Sequence, residues 1–377
     1  MGNWQHLPIG EQCGAPASVG NPYAFAWERD SSQHVVYLGK DNQIHELWFR
    51  HGGLFGGKST WNHNPIGQVS GAPASAGDAI GYAWEKDKTQ HVVYRGVDSQ
   101  IHELWCRGGK WGHNPVGQLT GAPPAASDPV GYSWENDGTQ HIVYRGTDNQ
   151  IHEIWYRDQW LGVDWHHSPI GQEANAPLAA GDLAAFAWEW DKSQHVIYRG
   201  QDNQIHELWF KHGMVTSGSW QHSAIGQKAN APACGSDPAA FAWEKDKTQH
   251  VIYRGQDNQI HELWLQHGHI QYGEWQYNNV GQRANAPAAG GNPFGYAWEH
   301  DGTVHIVYRG MDSLVYELWL RHGMIFTGNW ECNAITKETN APATSSDPVG
   351  YAWENDSTQH VIYRGTDNQI HELWQKK

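Results

Sequence analysis

One stretch recurs seven times along the chain, in its fullest form Gln90-His91-Val92-Val93-Tyr94-Arg95-Gly96-Val97-Asp98-Ser99-Gln100-Ile101-His102-Glu103-Leu104-Trp105. Copies begin at Gln33, Gln90, Gln140, Gln194, Gln249, Val304 and Gln359, in steps of 57, 50, 54, 55, 55 and 55 residues. A near-constant period of this size means one supersecondary unit copied around a ring or along an array. Residues 1–377 are therefore read as a single repeat domain rather than two unrelated globular ones.

Each unit holds four short runs of strand character. In the second unit these are Gly81–Glu85, Gln90–Arg95, Gln100–Trp105 and a run opening at Trp111. The turns Lys86-Asp87-Lys88-Thr89 and Gly96-Val97-Asp98-Ser99 have the Asp and Gly chemistry of tight hairpins. The Ala-Pro connector before each unit, as in Ser70–Asp78, is too rich in Gly, Pro and Ser for regular structure. Seven units of four antiparallel strands predict an all-β fold, a seven-bladed β-propeller. Strands joined by tight turns are neighbours, so the long connector crosses from the outer edge of one blade to the inner edge of the next. The run Trp4–Gly10 then has no blade of its own. It is expected to close the ring as the outer strand of the last blade, beside Gln369–Trp374, which hides both edges.

If Gly96–Ser99 is a four-residue loop, Arg95 opposes Gln100, Val93 opposes His102 and Val92 opposes Glu103. One blade face then carries His91, Val93, Arg95, Gln100, His102 and Leu104, and the other Gln90, Val92, Tyr94, Ile101, Glu103 and Trp105. Apolar repeats such as Val93 and Leu104 are explained by packing, and Asp87 and Asp98 by turn capping. Glu103 is not, because burying a carboxylate between Ile101 and Trp105 costs several kcal/mol without donors. A neighbouring Arg can pair with it, and the same two groups can bind sugar hydroxyls through charge-assisted hydrogen bonds.

The formal charge of −15 argues against nucleic acid or an anionic membrane as partner. Neither a membrane span nor a signal peptide is visible, so synthesis in the cytoplasm with release from the cell is the expectation. Cys13, Cys106, Cys234 and Cys332 fall at unmatched positions of their units and are read as free thiols. Cys13 is nevertheless able to link two chains into a homo-oligomer. Thirteen of the 25 histidines belong to the repeat, but identical His pairs around a ring do not converge on one centre, and neither a metal nor a cofactor is expected.

Catalysis needs one constellation placed once. Here nearly every polar candidate is present in six or seven copies, which suits replicated binding. Sugars offer a C–H patch that stacks on Trp and a hydroxyl rim that bonds Arg and Glu. Such shallow sites bind in the millimolar to micromolar range, about 4 to 8 kcal/mol, and several on one ring provide avidity.

The recurrence of Trp-Glu and then Gln-His-(Val/Ile)-(Val/Ile)-Tyr-Arg-Gly-x-Asp-(Asn/Ser)-Gln-Ile-His-Glu-Leu-Trp resembles the seven-bladed β-propeller lectins of Photorhabdus bacteria, over essentially the whole chain. The resemblance implies a fucose-binding lectin with several sites around the ring. It also implies a second, more polar set for galactose-type or O-methylated sugars, and recognition of host or symbiont glycans. The family's contact residues are not carried over by the motif.

The strand reading itself nominates the sites. Trp105 and Trp111 are placed at one rim of a blade as an aromatic platform for a 6-deoxy sugar. Their copies are Trp48, Trp155, Trp209, Trp264, Trp319 and Trp374, and Trp61, Trp165, Trp220, Trp275, Trp330 and Trp4. The hydroxyl binders are Arg95, Arg145, Arg199, Arg254, Arg309 and Arg364, with Glu46, Glu103, Glu153, Glu207, Glu262, Glu317 and Glu372. Asp98 and Gln100 lie at the opposite rim as a second, polar ring. Leu38 replaces Arg in the first copy, and Val304, Leu314, Val315 and Tyr316 replace Gln, Gln, Ile and His in the sixth. A site that uses Leu38 is expected to be weak.

The competing readings are a protein-interaction scaffold, whose acidic surface meets a basic partner, and a glycoside hydrolase. The latter needs two unrepeated carboxylates at a defined separation, and the repeat supplies none.

Overall fold

A computed structural model describes residues 3–51, 60–159, 162–211, 218–267, 273–321 and 329–377, with the side chains of 158, 159 and 162–164 left aside. The chain folds into seven four-stranded antiparallel sheets, the blades of a propeller. Blade 1 is Tyr23–Trp27, Ser32–Leu38, Ile44–Arg50 and Asn62–Asn64, and blade 2 is Ile80–Trp84, Thr89–Arg95, Ile101–Arg107 and Lys110–Asn114. Blades 3 to 7 open with Val130–Trp134, Ala179–Trp188, Ala239–Trp243, Phe294–Trp298 and Val349–Trp353. Each opening strand is innermost. A Cβ at Gly81 would stand 2.5 Å from Phe25 of the preceding blade, and one at Gly131 2.5 Å from Tyr82, so these positions stay bare because aromatic rings pack across the inner interface.

Ring closure follows the expectation. Gln5–Leu7 pairs antiparallel with Ile370–Lys376, placing Gln5 opposite Trp374, His6 opposite Leu373 and Leu7 opposite Glu372. The run does not stay extended to Gly10. After Pro8 it turns into a single helical turn, Ile9–Gln12, with Ile9 fully buried. The Ile-Gly or Val-Gly segment does the same in blades 1 to 5 and Ile-Thr does so in blade 6.

The hairpin register differs from the four-residue reading by one residue. Arg95 faces Ile101, Tyr94 faces His102, Val93 faces Glu103 and Val92 faces Leu104. The cause is the turn: Ser99 is left-handed at φ 62°, its N–H reaches Gly96 O at 2.9 Å, and Gly96 N–H donates to Gln100 O at 2.9 Å. Three residues form the loop and Gln100 pairs with Gly96, so the motif's Asn/Ser position is the one that tolerates positive φ. A one-residue slip exchanges faces. His91, Val93, Arg95, Ile101, Glu103 and Trp105 share one face, and Gln90, Val92, Tyr94, His102, Leu104 and Cys106 the other. Asp98 caps its turn as expected, accepting from Gln100 N–H at 3.0 Å and meeting His102 Nε2 at 3.1 Å. Asp87 instead holds the Thr89 hydroxyl and Arg107 Nη2.

The blades are stitched together at both ends of the axis. Glu135 accepts the backbone N–H of Glu85 at 2.8 Å and of Lys86 at 3.0 Å, and Glu189, Glu244, Glu299, Glu354 and Glu28 repeat this clamp around the ring. At the other end Asn21, Asp78, Asp128, Asp182, Asp237, Asn292 and Asp347 line an axial cavity of about 230 Å³.

Candidate functional site: the pockets between blades

Glu103 is 1% exposed and its partner is His91, not an arginine. His91 Nδ1 lies 2.7 Å from Glu103 Oε1, Thr89 Oγ1 lies 2.7 Å from His91 Nε2, and Asn114 Nδ2 donates to Glu103 Oε2 at 2.8 Å. The His–Glu pair recurs as His34–Glu46, His141–Glu153, His195–Glu207, His250–Glu262, His305–Glu317 and His360–Glu372, all at 2.8 to 2.9 Å, and Asn64, Asn278 and Asn333 repeat the role of Asn114. It depends on the observed register, since only that register puts His and Glu on one face.

The glutamine that opens the motif reaches back into this cluster from the next blade. Gln359 accepts the Tyr296 hydroxyl at 2.8 Å and donates Nε2 to Glu317 at 3.1 Å. Where the preceding blade carries Phe instead of Tyr, the amide oxygen is left over. Gln90 Oε1 faces the Phe25 blade and Gln249 Oε1 the Phe186 blade, both without a partner among the described residues. In the sixth copy, where the preceding blade carries Phe241, the glutamine is replaced by Val304, which packs in the same cluster as Phe241. The departure at Val304 is therefore packing. Tyr316 is likewise a local replacement, its hydroxyl donating to Asp312 at 2.7 Å where other blades use His and Asp.

The two tryptophans of one blade do not form a platform together. Cys106 pairs with Trp111 and Trp105 with Gly112, so Trp105 and Trp111 sit on opposite faces. The platform is assembled between blades. Trp105 lines a pocket with Trp165 of the next blade, Trp48 with Trp111, and Trp374 with Trp61. Trp48, Trp105, Trp155, Trp209, Trp264, Trp319 and Trp374 are all half-buried. Trp4, Trp61, Trp220 and Trp330 are buried in interblade clusters, and Trp111, Trp165 and Trp275 pack against such clusters.

The pocket between blades 2 and 3 shows the set in full. Trp84, Trp105, Tyr156 and Trp165 form apolar walls, the His91–Glu103–Asn114 group and Gln140 supply polar atoms, and Asp87 with Arg107 bounds it. Pockets at corresponding places lie between blades 1 and 2, 6 and 7, and 7 and 1, the one between 6 and 7 lined by Trp298 and Trp319 without a tryptophan of the next blade. In these the indole N–H groups of Trp48, Trp319 and Trp374 have no partner among the described residues. Concave, mostly apolar sites with a few converging polar groups are where small ligands bind.

The arginines are elsewhere. Arg95 Nη2 donates to Ala76 O at 3.2 Å and Asp128 Oδ1 at 3.3 Å, while Arg145 and Arg364 reach Gly181 O and Gly20 O of the following blade. Arg199 and Arg309 pair with Asp237 and Asp347 of the axial ring, and Arg254 donates to Gly291 O and Gly235 O. None of them lines the four pockets. Leu38, at the arginine position, is 8% exposed in an apolar cluster. Sequence reasoning missed the inner-strand Trp84 as a pocket wall, Asn114, and the rim pair Asp87–Arg107.

Several solved structures share this architecture. The BP39L lectin from Burkholderia pseudomallei superposes with a TM-score of 0.68 at 15% identity, covering 95% of this chain and 96% of its own. Aleuria aurantia lectin, solved in complex with Fucα1-6GlcNAc, gives 0.52 at 14% identity over 85% and 97%. AofleA from Arthrobotrys oligospora gives 0.52 at 14% identity over 88% and 91%. The likeness is one of fold. No protein-family model matches the chain, and no curated protein matches it by sequence.

Among the described residues no cluster of three or more His, Cys, Asp or Glu is arranged to hold a metal ion, and no helix is long and apolar enough to cross a membrane. The four cysteines are free thiols.

Proposed function

We propose that the chain is a multivalent lectin that takes a fucose-type sugar in the pockets between its blades. The observation that carries this reading is the pocket itself: half-buried indoles beside a hydrogen-bonded Glu–His pair that recurs in all seven blades and is joined by an Asn in four of them. The indole faces suit the C–H patch of a 6-deoxy sugar, and Glu103 with Asn114 and the Asp87–Arg107 rim suits its hydroxyls. The structural neighbours support it, since Aleuria aurantia lectin is described as fucose-specific. Galactose-type or O-methylated sugars are candidates for a second set at the Asp98 and Gln100 rim, and host or symbiont glycans for the natural target. The repeated chemistry speaks for binding rather than turnover. Individually weak pockets, engaged together on a glycan-coated surface, account for the sevenfold design.

Isothermal titration with methyl α-L-fucoside tests the reading. Binding that Trp105→Ala and Trp374→Ala each reduce in stoichiometry supports it. No heat at millimolar sugar, with selective capture of a basic protein instead, would favour the scaffold.

A further inference from the structure

The motif glutamate has two oxygens, and the repeat treats them differently. Oε1 meets the histidine of its own blade in all seven copies. In three copies it also accepts from the incoming glutamine, Gln90 on Glu46, Gln249 on Glu207 and Gln359 on Glu317. What reaches Oε2 depends on the residue opposite the glutamate on the outermost strand. That residue is Asn64, Asn114, Asn278 and Asn333 in blades 1, 2, 5 and 6, Ser168 and Ser223 in blades 3 and 4, and Leu7 in blade 7.

Each asparagine donates Nδ2 to Oε2, at 2.8 to 3.1 Å. Serine is shorter by a whole amide group and leucine has no donor. Among the described residues, Oε2 of Glu153, Glu207 and Glu372 therefore receives no hydrogen bond, and Ser223 Oγ instead accepts from Lys228 Nζ at 2.7 Å. These glutamates are as enclosed as the others, at 2 to 4% exposed. A carboxylate oxygen so enclosed costs the fold free energy until a donor meets it. Glu372 and Leu7 both line the pocket between blades 7 and 1, beside Trp61 and Trp374, so the donor that completes this glutamate enters through the pocket.

We propose that the outermost-strand residue divides the interblade sites into two classes. Blades 3, 4 and 7 present an open carboxylate oxygen that takes a hydroxyl of a neutral sugar, and blades 1, 2, 5 and 6 present a capped one that does not. This rests on the sugar-binding reading of the interblade pockets. In an open site the sugar stacks on Trp155, Trp209 or Trp374 while one hydroxyl donates to Oε2, a charge-assisted bond shielded from water. In a capped site the asparagine amide already occupies that oxygen, and the sugar is left with stacking and neutral hydrogen bonds. Seven copies of one motif thus make three stronger sites and four weaker ones.

Isothermal titration with methyl α-L-fucoside tests the division. The unmodified ring should resolve three sites about ten-fold tighter than the other four. Asn114→Ser, which gives blade 2 the residue of blades 3 and 4, should raise the strong count to four, a gain that misfolding cannot produce. Leu7→Asn should cap Glu372 and lower the count to two; Leu7 packs against an apolar cluster, so the melting temperature is read alongside. Seven equal sites, or a strong count that neither variant moves, overturns the division and leaves the lectin reading in place. A site lost in Asn114→Ser makes the asparagine itself the ligand and also overturns it. No heat at millimolar fucoside removes both.

Discussion

His91 Nδ1 stands 2.7 Å from Glu103 Oε1, twelve residues apart along the chain and on neighbouring strands of one blade, with both side chains at most 6% exposed. Thr89 on the far side of the imidazole and Asn114 on the far side of the carboxylate complete a chain of hydrogen bonds that crosses the blade. The pair both holds the blade and shapes the pocket. Removing one partner of a buried pair leaves the other unsatisfied, typically at about 3 kcal/mol or more. His91→Ala should therefore lower the urea midpoint substantially, and His91→Gln, which keeps a donor, should lower it less.

Ring closure gives a second prediction. The strand Gln5–Leu7 and the turn Ile9–Gln12 cover the outer edge of blade 7, and Trp4 and Ile9 are core residues. Deleting residues 1–10 should lower the melting temperature markedly in calorimetry. An unchanged melt would mean that the seam contributes nothing.

The axial ring makes the fold sensitive to pH. Burial, together with facing Asp237 and Asp128, pushes the Asp182 carboxyl up to about 6. A carboxyl that holds its proton more tightly in the fold than in the unfolded chain, where it titrates near ~4, favours the fold at low pH. That contribution is lost as pH rises through about 6. Asn21 and Asn292 already occupy this ring, and Asn292 Oδ1 accepts Asp237 N–H at 3.3 Å, so an amide fits. Asp182→Asn should raise the melting temperature at about pH 7.5 and not at about pH 4.

The outer histidines act in the opposite sense. His113 sits 3.0 Å from His102, and burial followed by that neighbour holds its pKa below the usual imidazole value, as for His63, His167 and His222. Their neutral form supports the fold above about pH 6.5, and this support fades as pH falls further. His113→Gln should flatten the acid limb of a melting-temperature profile.

The arginines provide a control. Arg95 spends its donors on Ala76 O and Asp128, away from the pocket that Glu103 lines. Arg95→Leu, which copies Leu38, should leave fucoside affinity within about two-fold and lower stability by roughly 1–2 kcal/mol, the worth of charge-assisted bonds that are partly solvent-exposed. A lost sugar site would return arginine to the binding set.

The period, the four strands per unit and the Trp4 closure were legible because hydrophobic alternation and turn residues report them directly. The register was not, because Ser99 in a left-handed turn shifts Glu103 from opposite Val92 to opposite Val93, and that single step decides whether glutamate meets histidine. The pocket was half legible. Trp105, Glu103 and Arg95 stood out as residues that packing alone does not explain, and of these Arg95 lies away from the pocket. The pocket neighbours Tyr156 and Trp165 come from the next blade, and no spacing within one unit reveals which blade faces which.

The most direct measurement is a crystal structure with methyl α-L-fucoside at saturating concentration. The sugar should lie between adjacent blades, its apolar edge on Trp105 and Trp165 or their equivalents, with hydroxyls bonded to the Glu103 group or the Asp87–Arg107 rim. Sugar ordered only at the Arg95 and Asp98 rim, or no sugar at all, would contradict the account.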